Sequence, residues 1–172
     1  MKILMKQGCY FVLSATMLAL SATVSADQNC RYDGVVVGAD QGVGFRASIL
    51  KLAVKNNLAG HVKNLPSGNQ VQLRFEGKCR DVNKAVQHIG SADRKACISG
   101  YTGKIKKVSQ IGSKFTVKNW GSHSRCIPNA NLDLVYYRGT KATKDSIINN
   151  TLKRNKVTLP PCNAKKMPPC AD

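Results

Sequence analysis

Between Tyr32 and Asn119 the spacing of apolar residues changes repeatedly, and the order of those changes restricts the fold more than any other property of the chain. Tyr32 to Ala39 is a β-branched run suited to a buried strand, and it closes in the glycine-punctuated turn Asp40-Gln41-Gly42-Val43-Gly44. Phe45 to Asn57 then sets Ile49, Leu50, Ala53 and Val54 at helical spacing, with Lys51 and Lys55 turned outward. Gly60 to Asn64 reads as a brief strand and Leu65 to Asn69 as a turn. Val71, Leu73 and Phe75 alternate with Gln72, Arg74 and Glu76 as an amphipathic strand. From Asp81 to Ile89, Val82, Ala85, Val86 and Ile89 form one helical stripe, with Asp81 placed as the N-cap. Gly90 to Gly103 reads as a loop, and Lys104 to Gln110 and Lys114 to Asn119 read as strands, Phe115 and Val117 sharing a face. Leu132 to Tyr137 alternates as well, either as an additional strand or as the last strand of the sheet.

Strand, helix, strand, strand, helix, strand is the order of a ferredoxin-like α+β sandwich, an antiparallel sheet with two helices on one face. The 42% hydrophobic share of the 172 residues is enough for such a core. Two regions fall outside it. Lys2 and Lys6 precede an apolar stretch from Tyr10 to Leu20, and Val24-Ser25-Ala26 supplies a cleavage site, so residues 1–26 read as a signal peptide of an exported, periplasmic or secreted protein. Ser14, Thr16, Ser21, Thr23 and Ser25 leave the apolar part too short for a membrane span. Residues 27–120 form the expected domain. Residues 121–172 form a basic extension containing Cys and Pro, expected to be a loosely ordered tail beyond Arg138 pinned by cysteines.

Removal of the leader takes Cys9 with it and leaves Cys30, Cys79, Cys97, Cys126, Cys162 and Cys170, an even set that suggests disulfides in an oxidising compartment. Their pairing stays open: Cys162 with Cys170 would close a short Pro-Pro-Cys repeat, and Cys79 with Cys97 would bracket one helix. There is no C-x-x-C pair, and His61, His88 and His123 stand far apart, so no metal is expected. The excess of 27 Lys and Arg over 9 Asp and Glu favours an anionic partner, whether a phosphate-bearing small molecule, an anionic polymer or a membrane surface. A specific nucleic-acid site is not expected, because no strand interleaves its cations with aromatic residues.

Chemistry concentrates at Gln41, Gly42, Val43, Gly44, Phe45 and Arg46, where the first strand hands over to the first helix. Glycines there let backbone N–H groups turn around an anion, the helix N-terminus adds free donors, and Arg46 can grip two oxygens. No Asp or Glu occurs from Gln41 to Phe75. Gly42 to Ala47 also fits the loose dinucleotide pattern, but the ribose-binding acid expected downstream is absent, so no nicotinamide or flavin cofactor is expected.

Gly38 to Arg46 (G-A-D-Q-G-V-G-F-R), followed by Asn57 to Gly68 (N-L-A-G-H-V-K-N-L-P-S-G), resembles the two signatures of the acylphosphatases, in the same order and at similar spacing. The resemblance is strong from Tyr32 to Ile89, weak to Trp120 and absent afterwards. It implies the ferredoxin-like fold and cofactor-free hydrolysis of an acyl phosphate to a carboxylate and inorganic phosphate by a monomer. By matched position it implies that Arg46 binds the phosphoryl group, that the amides of Gln41 to Arg46 cradle its oxygens, and that the Asn64 carboxamide orients the attacking water. Three positions depart from the family pattern. Asp40 replaces an apolar residue and puts a carboxylate near the cradle, where it would repel phosphate or pair with Arg46. His61 stands for Trp as a surface or packing substitution, and Leu65 stands where a hydroxyl is common. The alternative function is an acylphosphatase-like binding module with a weak site that attaches to anionic polymers or envelope surfaces.

Overall fold

The computed structural model describes residues 28–39, 44–92, 96–120 and 132–157. The expected leader, Asp40 to Val43, His123, Cys126, Cys162 and Cys170 lie outside the described residues. In chain order the elements are β1 (Asn29–Ala39), α1 (Phe45–Lys55), β2 (Ala59–Asn64), β3 (Gln70–Lys78), α2 (Cys79–Gln87), β4 (Cys97–Lys107), β5 (Lys114–Trp120), β6 (Leu132–Tyr137) and α3 (Lys144–Arg154). The strands form one sheet in the order β4-β1-β3-β2-β5-β6, with every pair antiparallel except β2 and β5. The first six elements follow the split βαβ order of a ferredoxin-like α+β sandwich, and the sheet is then widened by two strands.

Alternation selects the face that packs. Val71, Leu73 and Phe75 of β3 are fully buried, while Gln72, Arg74 and Glu76 point to the other side. The register puts Val36 opposite Val71, and Val62 opposite Leu73, so one face collects the apolar residues of four strands against Phe45, Ile49, Leu50 and Ala53 of α1 and Val82 and Ala85 of α2. Gly60 is paired with both Phe75 and Phe115, whose rings approach to 5.9 Å between centroids. The opposite face is polar, and Asp33 there receives Arg74 at 2.6 Å and Arg31 at 3.3 Å.

Four expectations are corrected. The segment read as a loop, Gly90 to Gly103, holds most of β4, which starts at Cys97; as an edge strand with both faces largely exposed it needs no alternation, and pairing with β1 defines it instead. Asp81 is not the N-cap of α2. The helix begins at Cys79 with Lys78 as its cap, because β3 runs straight into it and Cys79 is bonded to Cys30, so Asp81 falls in the first turn beside Arg80. The pairing of Cys79 with Cys97 is therefore excluded; Cys30 and Cys79 join β1 to α2 with their Cα atoms 4.6 Å apart, and Cys97 belongs to a separate disulfide. Finally, the chain beyond Arg138 is not a loose tail throughout. Thr143 and Ser146 form a reciprocal capping box that starts α3, whose Ile147, Thr151 and Leu152 are buried. The run Leu132 to Tyr137 is an additional strand, tied to the α1–β2 turn by Tyr136 Oη and the Gly139 N–H, both donating to Asn57 Oδ1.

Candidate active site

At one end of the sheet, β1 leaves toward α1, β2 ends at Asn64 and β5 ends at Trp120. Gly38 marks the exit from β1. Its φ of 152° and the carbonyl of Cys97, which would stand 2.2 Å from an added Cβ, require glycine there. Gly44 begins α1 in the left-handed region with φ of 91°, without a side-chain cap and without an acidic residue in the first turn. The helix therefore starts with donors that no side chain at the cap neutralises, a setting that favours an anion.

Arg46 sits in the first turn of α1 and is only 8% exposed. Its Nη1 donates to two consecutive carbonyls at the end of β5, Lys118 O and Asn119 O, the latter at 2.9 Å. Burial pushes its pKa down. A guanidinium nonetheless stays charged at neutral pH, and no carboxylate among the described residues is paired with it.

Asn64 closes β2, directly across from the fully buried Val71 and two residues after the fully buried Val62. Cross-strand partners share a face, so the carboxamide lies on the helix-covered side of the sheet, the side of Arg46. The parallel register that pairs Val62 with Val117 brings Asn64 level with Lys118 and Asn119, the residues that hold the guanidinium. Both Asn64 Nδ2 and Oδ1 are buried and find no partner among the described residues. Leaving a buried amide unsatisfied costs about 1–3 kcal/mol, and such groups in folded proteins call for a reason other than packing.

Of the expected phosphate cradle, Gln41, Gly42 and Val43 lie outside the described residues, as does Asp40. Gly44 caps α1 and Phe45 opens it, with the Phe45 side chain fully buried in the core. His61 is directed to the opposite face, its pKa lowered by burial and then by Arg74 and Lys63, so it does not join Arg46 and Asn64. His88, the C-cap of α2, is exposed with Nδ1 2.7 Å from Lys84 O. Among the described residues, no group of three or more His, Cys, Asp or Glu side chains is placed to hold a metal ion. The residues that sequence reasoning did not single out are Lys118 and Asn119, which act through their backbone carbonyls and so carry no side-chain signature.

Fold and site together define a small α+β sandwich with a buried arginine in the first turn of α1 and an asparagine at the end of β2. Residues 32–117 match the acylphosphatase family model, and the chain belongs to that family. An acylphosphatase of Clostridium beijerinckii is 36% identical over 88 residues, covering 51% of this chain and 97% of that protein. A probable carbamoyltransferase, HypF, of Methanocaldococcus jannaschii is 44% identical over 54 residues, 31% of this chain, and the match spans 7% of its length. The solved structure of an acylphosphatase from Coxiella burnetii superposes with a TM-score of 0.47 and 27% identity, covering 53% of this chain and 94% of that one.

Proposed function

We propose that the protein hydrolyses acyl phosphates to a carboxylate and inorganic phosphate. The observation that carries this reading is the pairing, on the same side of the same sheet end, of a buried guanidinium with no carboxylate partner and a buried carboxamide with no hydrogen-bond partner, both among the described residues. The first suits a phosphoryl dianion and the second suits a water molecule, because an amide offers a donor and an acceptor to one small polar neighbour. Membership of the acylphosphatase family supports the same reading.

In the proposed reaction the phosphoryl oxygens lie against Arg46 and the N–H groups at the start of α1. Asn64 accepts a hydrogen bond from the water and aims its lone pair at phosphorus. The O–P bond forms as the bond from phosphorus to the acyl oxygen breaks, the carboxylate leaves with that electron pair, and the water's protons pass to the phosphate product and solvent. A carboxylate is a good leaving group, so positioning and charge stabilisation supply most of what the step needs. We place this activity outside the cytoplasm, a reading supported by the Cys30–Cys79 disulfide and by the second disulfide at Cys97.

The test is release of phosphate from acetyl phosphate by the purified protein beside its Arg46→Ala and Asn64→Ala variants. Turnover by the parent with loss in both variants supports the reading. Equal, slow release from all three would overturn it.

A further inference from the structure

Two carbonyls that follow one another along a regular strand point to opposite sides, yet Lys118 O and Asn119 O both accept from the same nitrogen of Arg46. The strand achieves this by a bulge. Val117 pairs with Leu134 and Trp120 with Leu132, so the two residues Lys118 and Asn119 oppose the single residue Asp133. Asn119 takes φ of 51°, a left-handed conformation that asparagine tolerates better than most side chains but that still has to be held.

Asp133 holds it. Its Oδ1 accepts the Asn119 N–H at 3.1 Å and its Oδ2 lies 2.5 Å from Lys118 Nζ, so one carboxylate grips both bulged residues. Lys118, Asn119 and Asp133 all lie beyond the segment matched by the family model, which ends at residue 117. The ion pair itself is half-exposed and contributes little to stability, about 0–1 kcal/mol for pairs of this kind. What it controls is the direction of two carbonyls.

We propose that Asp133, supplied by the additional strand β6, is a positioning residue that sets the Arg46 guanidinium through the bulge at Lys118 and Asn119. The proposal rests on the reading of Arg46 as the phosphoryl-binding group. It also makes a prediction opposite in sign to simple electrostatics. Asp133 is a negative charge near an anion site, so if charge were its only influence, removing it would tighten phosphate binding. If it positions Arg46, removing it weakens binding.

The experiment is calorimetric titration of inorganic phosphate into the purified protein and its Asp133→Ala and Asp133→Asn variants, with acetyl phosphate kinetics on the same samples and thermal unfolding as the check on folding. Asp133→Ala is expected to weaken phosphate binding and lower kcat/KM on the order of tenfold. Asp133→Asn keeps an acceptor for the Asn119 N–H and is expected to fall between Asp133→Ala and the parent. The kinetic loss should vanish in an Arg46→Ala background and persist in an Asn64→Ala background, a pattern that a merely structural role would not produce. Unchanged or tighter phosphate binding in Asp133→Ala, or the same kinetic loss in both backgrounds, would overturn the inference. A parent that binds phosphate but leaves acetyl phosphate intact would remove the hydrolytic reading alone, with the sign of the phosphate shift still deciding the role of Asp133. A parent that binds no phosphate would remove both.

Discussion

Replacing Asn64 by leucine should make the protein more stable and nearly inactive, an outcome that an ordinary buried residue does not give. The side chain ends β2 on the packed face, opposite Val71, and neither of its polar atoms meets a partner among the described residues. An unsatisfied buried amide costs about 1–3 kcal/mol, and a bound water recovers part of that cost at about 0–2 kcal/mol of immobilisation. Leucine branches at Cγ as asparagine does and carries nothing to satisfy, but its methyl groups are bulkier than the amide's atoms, so overpacking takes back part of the gain and the expected net is about 1 kcal/mol. For a chain of this size that corresponds to a rise in Tm of about 2–4 °C. If the carboxamide orients the water, kcat should fall on the order of a hundredfold with inhibition by phosphate almost unchanged, because the group acts on the nucleophile and leaves the bound dianion alone. Unfolding in urea and steady-state hydrolysis of acetyl phosphate measure the two halves. A variant destabilised by about 1 kcal/mol or more, a loss of the size expected for a satisfied buried amide, that keeps its rate would show that the amide serves the fold and not the water.

Three further outcomes follow from the same geometry. Arg46→Ala removes the proposed phosphoryl contact and strands two carbonyls, so kcat/KM should fall by roughly 10²–10³ and phosphate should cease to inhibit competitively; retained inhibition in product-inhibition assays would contradict the assignment. Converting Cys30 and Cys79 together to alanine opens a crosslink spanning 49 residues, worth about 4 kcal/mol by loop entropy; a loss of about 2–4 kcal/mol is expected in denaturant titration, and a shift below 0.5 kcal/mol, by that same estimate, would mean that packing alone joins β1 to α2. His61 is held below its ordinary 6.5 by burial and by Arg74 and Lys63, so the unfolded chain takes up its proton first as the pH falls. Stability from this group is complete above 6.5, declines as the pH drops toward the lower folded value, and levels off beneath it. His61→Gln should flatten that part of a stability profile measured from pH 7.5 downward.

Local periodicity carries the central architecture because each of those elements buries one face. Val71, Leu73 and Phe75 alternate, and Val82 and Ala85 recur at helical spacing, since water is excluded from one side only; the pattern is written into the chain before any partner is known. The glycines before Arg46 and the run V-K-N-L-P-S-G from the end of β2 into the turn after it mark the candidate site for a similar reason, as backbone and side-chain types that few other settings require. Three features were decided by tertiary structure alone. Strand β4 exists by pairing with β1 at an exposed edge, where no apolar period is needed. Cys79 bonds to Cys30 because the sheet carries both to one end of β1 and β3, a juxtaposition that spacing along the chain does not encode. The grip on Arg46 comes from main-chain carbonyls turned by a bulge that a residue on the next strand secures, and carbonyls are the same in every residue. A sequence records which side chains are available and where burial must recur, whereas the aim of the backbone at a bulge is settled only when its neighbour across the sheet is in place.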